Sequence, residues 1–155
     1  MQRRSFLKNM AAVAAVAVVV PKVGMAAGSK AKGANDIGLK SAIDAITNGR
    51  QVVNSSKVQL KAPEIAENGA VVPIKVEVKS PMTSSDHVKA IHVIATKNGN
   101  ARCISVNLTP ANGKAVFGTR IKLSGTQDVL AIAQMSDGTF ISASQNVKVT
   151  IGGCG

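Results

Sequence analysis

An alternation of apolar and polar residues runs through the chain after Arg50, and it limits the fold more than any other feature of the sequence. The segment 72–78 places Val or Ile at every even position and Lys or Glu at positions 75 and 77. A side-chain period of two is that of a β-strand with one buried face. About seven such segments follow one another, separated by turn sequences such as Asn98-Gly99. Because no helical crossover interrupts them, we expect an all-β fold, an antiparallel β-sandwich of immunoglobulin-like form.

A short helix is expected before the strands, over residues 36–47. Its apolar positions have helical spacing and are Ile37, Ala42, Ile43 and Ile46. Asn35 or Asp36 could cap its start, and Asn48-Gly49 would end it. The first strand is then expected over 52–60. Proline has no N–H to donate, so Pro73 indicates an edge or the start of its strand.

The first 27 residues are expected to lie outside this domain, as a cleaved export signal. They combine the twin-arginine pair Arg3-Arg4, an apolar run over 10–20 and small residues at 24–26. That order is typical of twin-arginine export. The apolar run is too short and too rich in alanine for a membrane span, which needs about 20 residues. We therefore predict a periplasmic protein without a membrane span, with a domain over 28–151 and a tail over 152–155.

The mature chain is expected to stay basic. Cleavage would remove four of the 19 Lys and Arg residues and none of the eight acids, so the formal charge would fall from +11 to +7. Such a charge favours small anions or acidic protein partners. Nucleic acid is disfavoured because the chain has no Trp or Tyr to stack on bases and only three Phe, and because export separates it from nucleic acid.

The last four residues, Gly152-Gly153-Cys154-Gly155, carry the clearest chemical signal. Val147, Val149 and Ile151 predict a strand with one buried face that leads directly into them. Glycine leaves the backbone mobile, and four extended residues reach about 13–14 Å, so Cys154 could enter a narrow channel of another protein. A flexible tail fixes no general base beside the thiol, which favours a carrier over an enzyme. The terminal carboxylate opposes thiolate formation.

Cys103 is the second of the two cysteines. Alternation places it on the strand face opposite Ile104 and Val106, where it would be exposed. An oxidising compartment permits a disulfide between Cys103 and Cys154, although a staple set among three glycines is unusual. Cys103 could instead be a buried small residue or pair with another chain.

Two other functions are open from the residues alone. One is a periplasmic metal-binding module in which His87, His92, Met82 and Met135 bind copper. The two histidines are five residues apart, so on one continuous strand they would face opposite sides. The other is a stand-alone cysteine transferase or hydrolase, whose base would have to be one of these histidines.

The chain resembles the SoxY family, the sulfur-carrying subunits of the thiosulfate-oxidising Sox system. The twin-arginine signal and the terminal Gly-Gly-Cys-Gly carry this resemblance, and it extends over essentially the whole mature chain. Further matching segments are Pro63-Glu64-Ile65-Ala66-Glu67-Asn68-Gly69, Val72-Pro73, Ser80-Pro81-Met82, Thr119-Arg120-Ile121-Lys122-Leu123, Thr126-Gln127 and Met135-Ser136-Asp137-Gly138.

The resemblance implies a non-catalytic carrier without a cofactor. Cys154 would hold thiosulfate-derived sulfur as a thiosulfonate or persulfide, and Gly152, Gly153 and Gly155 would give it reach and clearance. A SoxZ-like β-sandwich subunit would complete a heterodimer. A c-type cytochrome, a sulfate-releasing hydrolase and a sulfur dehydrogenase would be the further partners. A disulfide between Cys103 and the SoxZ-like subunit is an added hypothesis.

Overall fold

Two β-sheets packed face to face form the body of the protein. The computed structural model describes residues 36–153, and the elements below lie within that range. They are α1 (Leu39–Thr47), β1 (Val52–Asn54), β2 (Val58–Lys61), β3 (Ile65–Asn68), β4 (Val72–Val78), β5 (Val88–Ala95), β6 (Arg102–Asn107), β7 (Ala115–Ile121), β8 (Gln127–Met135) and β9 (Phe140–Ile151), with a 3-10 turn at Pro110–Asn112 between β6 and β7.

The larger sheet has the order β1-β9-β8-β5-β6, with β3 paired to the C-terminal part of β9, and the smaller sheet has the order β2-β4-β7. The predicted sandwich of immunoglobulin-like form, with one short helix, is confirmed. It is not wholly antiparallel, because β1 and β3 both run parallel to β9. No helical crossover is needed for these pairs, since most of the domain separates the partners along the chain.

The predicted first strand, 52–60, was wrong as one element. The structure divides it into β1, in the larger sheet, and β2, in the smaller sheet. A turn at Ser55 separates them: its carbonyl accepts a hydrogen bond from the Val58 N–H, and its hydroxyl accepts one from the Lys57 N–H. A serine that bonds the backbone two residues on is a common turn former. The strand β3 was not predicted at all.

The main core lies between the sheets and follows the alternation. In β4, Val72, Ile74, Val76 and Val78 are all buried. Strand β5 is buried on both faces, because the helix covers the other side of the larger sheet. There Ala42 and Ile46 of α1 pack with Ile94, Ala101, Ile132 and Phe140.

The helix end agrees with the prediction and its start does not. Asn48 adopts the left-handed conformation with φ 52°, and its N–H donates to the Asp44 carbonyl at 2.8 Å. The N-cap is Gly38, which makes no side-chain cap; Asp36 lies before it, and Asn35 lies outside the described residues. Pro73 is the second residue of β4, in a stretch that only β7 borders, which agrees with the predicted edge or strand start.

Candidate functional site

Strand β9 carries the chain to its C-terminal motif. On one side it pairs with β8 as far as Val147, which lies opposite Gln127. Beyond that point β3 is its strand neighbour, with Asn68 opposite Ile151. The burial of the predicted face therefore decreases along the strand: Val147 is fully buried, Val149 is half-buried, and Ile151 is 69% exposed. The strand projects past β8 toward the tail.

Backbone hydrogen bonds hold the first two tail residues against the body. The Gly69 N–H donates to the Ile151 carbonyl at 2.7 Å, and the Leu123 N–H donates to the Gly69 carbonyl at 2.7 Å. The Gly153 N–H in turn donates to the Leu123 carbonyl at 2.8 Å. We call the residues that surround the tail here, namely Gly69, Ala70, Leu123 and Ser124, the tail collar.

The tail collar accepts only glycine. A Cβ on Gly153 would lie 2.5 Å from the Ala70 nitrogen, and a Cβ on Gly152 would overlap the Ser124 carbonyl oxygen. Inside the collar, a Cβ on Gly69 would overlap the Leu123 carbonyl oxygen and lie 2.8 Å from the Gly153 nitrogen. All of these are backbone atoms, which cannot rotate away as a flexible side chain can. Close backbone approach is one of the physical uses of glycine.

Gly152 and Gly153 thus have a steric role that sequence reasoning missed. Their predicted contribution to tail reach stays a prediction. Cys154, the predicted substrate-carrying residue, and Gly155 lie outside the described residues, as does the predicted signal over 1–27. The sequence did not indicate the collar residues, because the residues around Gly69 are typical of an ordinary turn. The one available signal was that the segment 63–69 carries part of the family resemblance.

Cys103 does not follow the alternation that was used to place it. Val93 of β5 lies opposite Ile104, and Ile94 lies opposite Arg102, so Cys103 is the extra residue of a β-bulge. The prediction of an exposed face was therefore wrong: Cys103 is half-buried and packs against the inter-sheet core. Its thiol is free and lies 3.8 Å from the Ala101 carbonyl oxygen. The interchain disulfide stays a prediction.

Burial favours the protonated form of the Cys103 thiol. It raises the pKa of Cys103, and the neighbouring backbone of Ala95 offsets that rise only in part. The charged form is disfavoured because it loses hydration in the interior. A protonated thiol is a poor nucleophile, so Cys103 is poorly suited to react with sulfur species.

The residues proposed as copper ligands are dispersed. Met82 and Met135 are buried in the inter-sheet core. The His87 Nδ1 lies 3.0 Å from the Thr83 carbonyl oxygen, and the His92 Nδ1 lies 2.8 Å from the Ser105 hydroxyl. Within residues 36–153, no group of three or more His, Cys, Asp and Glu side chains could hold a metal ion. In the same range no helix is both long and apolar enough to cross a membrane.

The fold and the tail collar together define a β-sandwich protein whose last strand leads, through a clamped pair of glycines, into a terminal cysteine motif. The family model of the sulfur oxidation protein SoxY matches residues 43–154, a range that includes Cys154. The chain therefore belongs to the SoxY family, as the resemblance predicted.

Solved structures agree with this assignment. The sulfur carrier protein SoxY from Chlorobium limicola f thiosulfatophilum is 31% identical, with a TM-score of 0.62, and the match covers 73% of this chain and 96% of that one. A superoxide reductase (neelaredoxin) from Ignicoccus hospitalis is 17% identical, with a TM-score of 0.55, over 60% of this chain and 80% of that one. This second likeness shows a shared fold alone. No curated protein sequence matches the chain.

Proposed function

We propose that this chain is a covalent sulfur carrier of thiosulfate oxidation, which holds its substrate on Cys154 and presents it to partner enzymes. The observation that carries the proposal is the SoxY family match, which extends through the tail to residue 154. The related Chlorobium protein is itself a sulfur carrier.

The tail collar supports this role by giving the tail a fixed origin. Gly153 bonds to Leu123, and Cys154 is the next residue along the chain. A thiol that starts from a fixed point reaches a defined region of space, which lowers the entropy lost when it enters a partner site. The collar fixes the start of the tail without added side chains, because glycines occupy the closest contacts.

The positions of the histidines favour a carrier over a stand-alone enzyme. His92 lies opposite Ile132 of β8, five residues from Gln127, where β9 leaves its neighbour. Five residues of a strand span about 17 Å. From that point β9 runs away from His92 toward the collar. His87 is farther away still, because the next residue, Val88, lies opposite Met135 near the other end of β8. A general base must lie within hydrogen-bond reach of its nucleophile, whereas β9 leads away from both histidines toward Gly153, the residue that precedes Cys154.

The loading chemistry is a two-electron oxidation. A bond forms between the Cys154 sulfur and the outer sulfur of thiosulfate, the thiol loses its proton, and two electrons pass to the c-type cytochrome partner. Hydrolysis by the sulfate-releasing partner then breaks the bond between the two thiosulfate-derived sulfurs. Water supplies the oxygen that completes sulfate, and a persulfide stays on Cys154 for the sulfur dehydrogenase.

Location and assembly complete the proposal. The twin-arginine segment supports export to the periplasm, where the Sox partners would meet the carrier. A SoxZ-like β-sandwich subunit would form the heterodimer. Replacement of Arg3 and Arg4 by Lys should retain the full-length precursor inside the cell. Unchanged processing and export of that double variant would contradict the twin-arginine assignment.

Intact-mass analysis of the protein from cells oxidising thiosulfate tests the carrier role. We expect adducts of sulfur, or of a thiosulfate-derived group, that reductant removes. The variant Cys154→Ser should carry none, while Cys103→Ser, the matched control, should load as the unaltered protein does. Adducts that persist in Cys154→Ser and vanish in Cys103→Ser would show that Cys103 is the carrier residue, which would contradict the proposal.

A further inference from the structure

A cavity of about 320 Å³ opens between the edges of the two sheets. Strand β6 is an edge strand of the larger sheet, and β7 is an edge strand of the smaller one. The cavity residues that matter here are Asn98, Asn100, Arg102, Cys103, Arg120 and Lys122, and we call this site the cationic cavity.

Its three cations have no acidic partner among residues 36–153. The salt bridge found within that range joins Lys40 to Asp44, far from the cavity along the chain. Arg120 and Lys122 are two residues apart at the end of β7 and are both exposed, with buried Ile121 between them. Unpaired cations that line one concavity attract anions, because their fields add there.

Arg102 is held in place by hydrogen bonds that leave its charge uncompensated. Its Nε and Nη2 donate to the Ser105 hydroxyl oxygen at 3.1 and 3.0 Å. These bonds occupy both acceptor sites of the hydroxyl, so its own O–H donates to the Nδ1 of His92 at 2.8 Å. His92 is then neutral, with its proton on Nε2. Three of the five N–H groups of Arg102 are left for a ligand or for water.

The wall of the cationic cavity is hydrogen-bonded through Asn98 and is continuous with the tail collar. Asn98, which is buried, donates to the Lys122 carbonyl at 2.8 Å and accepts from the Ser124 N–H at 3.0 Å and the Gln127 side chain at 2.8 Å. Lys122 lines the cavity, and the next two residues, Leu123 and Ser124, belong to the collar. The cavity thus lies beside the point where the tail leaves the body.

We propose that the cationic cavity is a reversible binding site for a small, doubly charged oxyanion of the sulfate or thiosulfate class. Guanidinium groups match the paired oxygens of such anions, and lysine adds a point charge. The choice of sulfur oxyanions rests on the proposed function, whereas the affinity for anions rests on the cavity alone. Held there, thiosulfate or sulfate would be kept close to the base of the tail.

The mature Cys154→Ser variant allows a direct test, because Cys103 is then the chain's single thiol and lines the cavity. Its alkylation by neutral iodoacetamide should slow saturably with sodium sulfate, relative to sodium chloride at equal ionic strength. Thiosulfate consumes iodoacetamide, so its binding is measured by amide NMR shifts over 98–104 and 120–124, with phosphate as a third arm.

The double substitution Arg120→Gln and Lys122→Gln should weaken binding at least about ten-fold, since the loss of even one charge-assisted hydrogen bond changes affinity by about that factor. The matched control, Lys57→Gln with Lys114→Gln, removes the same charge at exposed positions outside the cavity and should bind as before. Equal protection by chloride, or equal loss in both double variants, would overturn the proposal. Phosphate binding as tight as thiosulfate would overturn the sulfur-oxyanion choice.

Loading of Cys154 in the unaltered chain distinguishes the two proposals. If the cavity binds oxyanions while Cys154 never gains an adduct, the carrier proposal fails and this one stands. If Cys154 loads and no saturable anion binding is found, this inference fails alone.

Discussion

The tail collar and the cationic cavity are built on the same short segment, and they use it in opposite ways. The collar uses the backbone of Leu123 and Ser124, and it works because Gly69, Gly152 and Gly153 lack side chains. The cavity uses the side chains of Arg120 and Lys122, just before that backbone. One site depends on close steric fit and the other on charge. Substitutions should therefore act at the collar through packing and at the cavity through salt-dependent binding.

The largest expected effect is the loss of stability caused by Gly69→Ala, which tests whether the tail collar is sterically closed. The new Cβ would overlap the Leu123 carbonyl oxygen and crowd the Gly153 nitrogen and the Val149 side chain. Overpacking of this kind lowers the free energy of unfolding by about 1–3 kcal/mol. Urea unfolding measures the change.

Gly125→Ala provides the matched control, since nothing lies within 4 Å of the Cβ it would add. It should change the free energy of unfolding by no more than about 0.5 kcal/mol. If the two alanine variants unfold at the same urea concentration, the collar is not sterically closed.

A smaller effect on stability is expected from Gly153→Ala, because a chain end can move away from a clash. The added Cβ would lie 2.5 Å from the Ala70 nitrogen, so the tail should leave the collar and lose the bond to Leu123. Amide hydrogen exchange at residue 153 should become fast, while unfolding changes by less than about 0.5 kcal/mol.

The same Gly153→Ala variant should also load sulfur on Cys154 less efficiently with its partners, because its tail no longer starts from a fixed point. Cys154 chemistry itself is unaltered, so a small thiol reagent should label it as before. An amide at position 153 that stays protected in the variant would show that the collar does not hold the tail.

Local patterns predicted the sandwich but not the two sites. The alternation in 72–78 and the turn at Asn98-Gly99 each depend on near neighbours, and the structure confirms both. The bulge at Cys103 shifts the strand register by one residue and reverses the face that simple alternation assigns, which no local pattern reveals. The collar joins segments near residues 69, 123 and 153, so its demand for glycine appears only when the chain is folded.

The smallest expected effect is a pH dependence of stability through His92, which tests whether the charge of the cationic cavity acts on this residue. Burial lowers the pKa of His92 below its usual range, and the positive charge of Arg102 lowers it further. The folded state thus prefers neutral imidazole, while the unfolded chain binds a proton near pH 6.5. The free energy of unfolding should therefore fall as pH falls below about 6.5, since protonation then favours the unfolded state.

Arg102→Gln removes the lesser of the two causes and keeps a donor for the Ser105 hydroxyl. The pKa of His92 should rise part of the way toward its ordinary value, which NMR titration of the imidazole measures, and the loss of stability at acid pH should shrink accordingly. Arg120→Gln is the control: it removes one cavity charge of the same kind, and Arg120 is not among the groups that shift His92. If His92 titrates identically in all three proteins, Arg102 does not act on it through charge, and the hydrogen-bonded chain from His92 to the cavity has no electrostatic consequence.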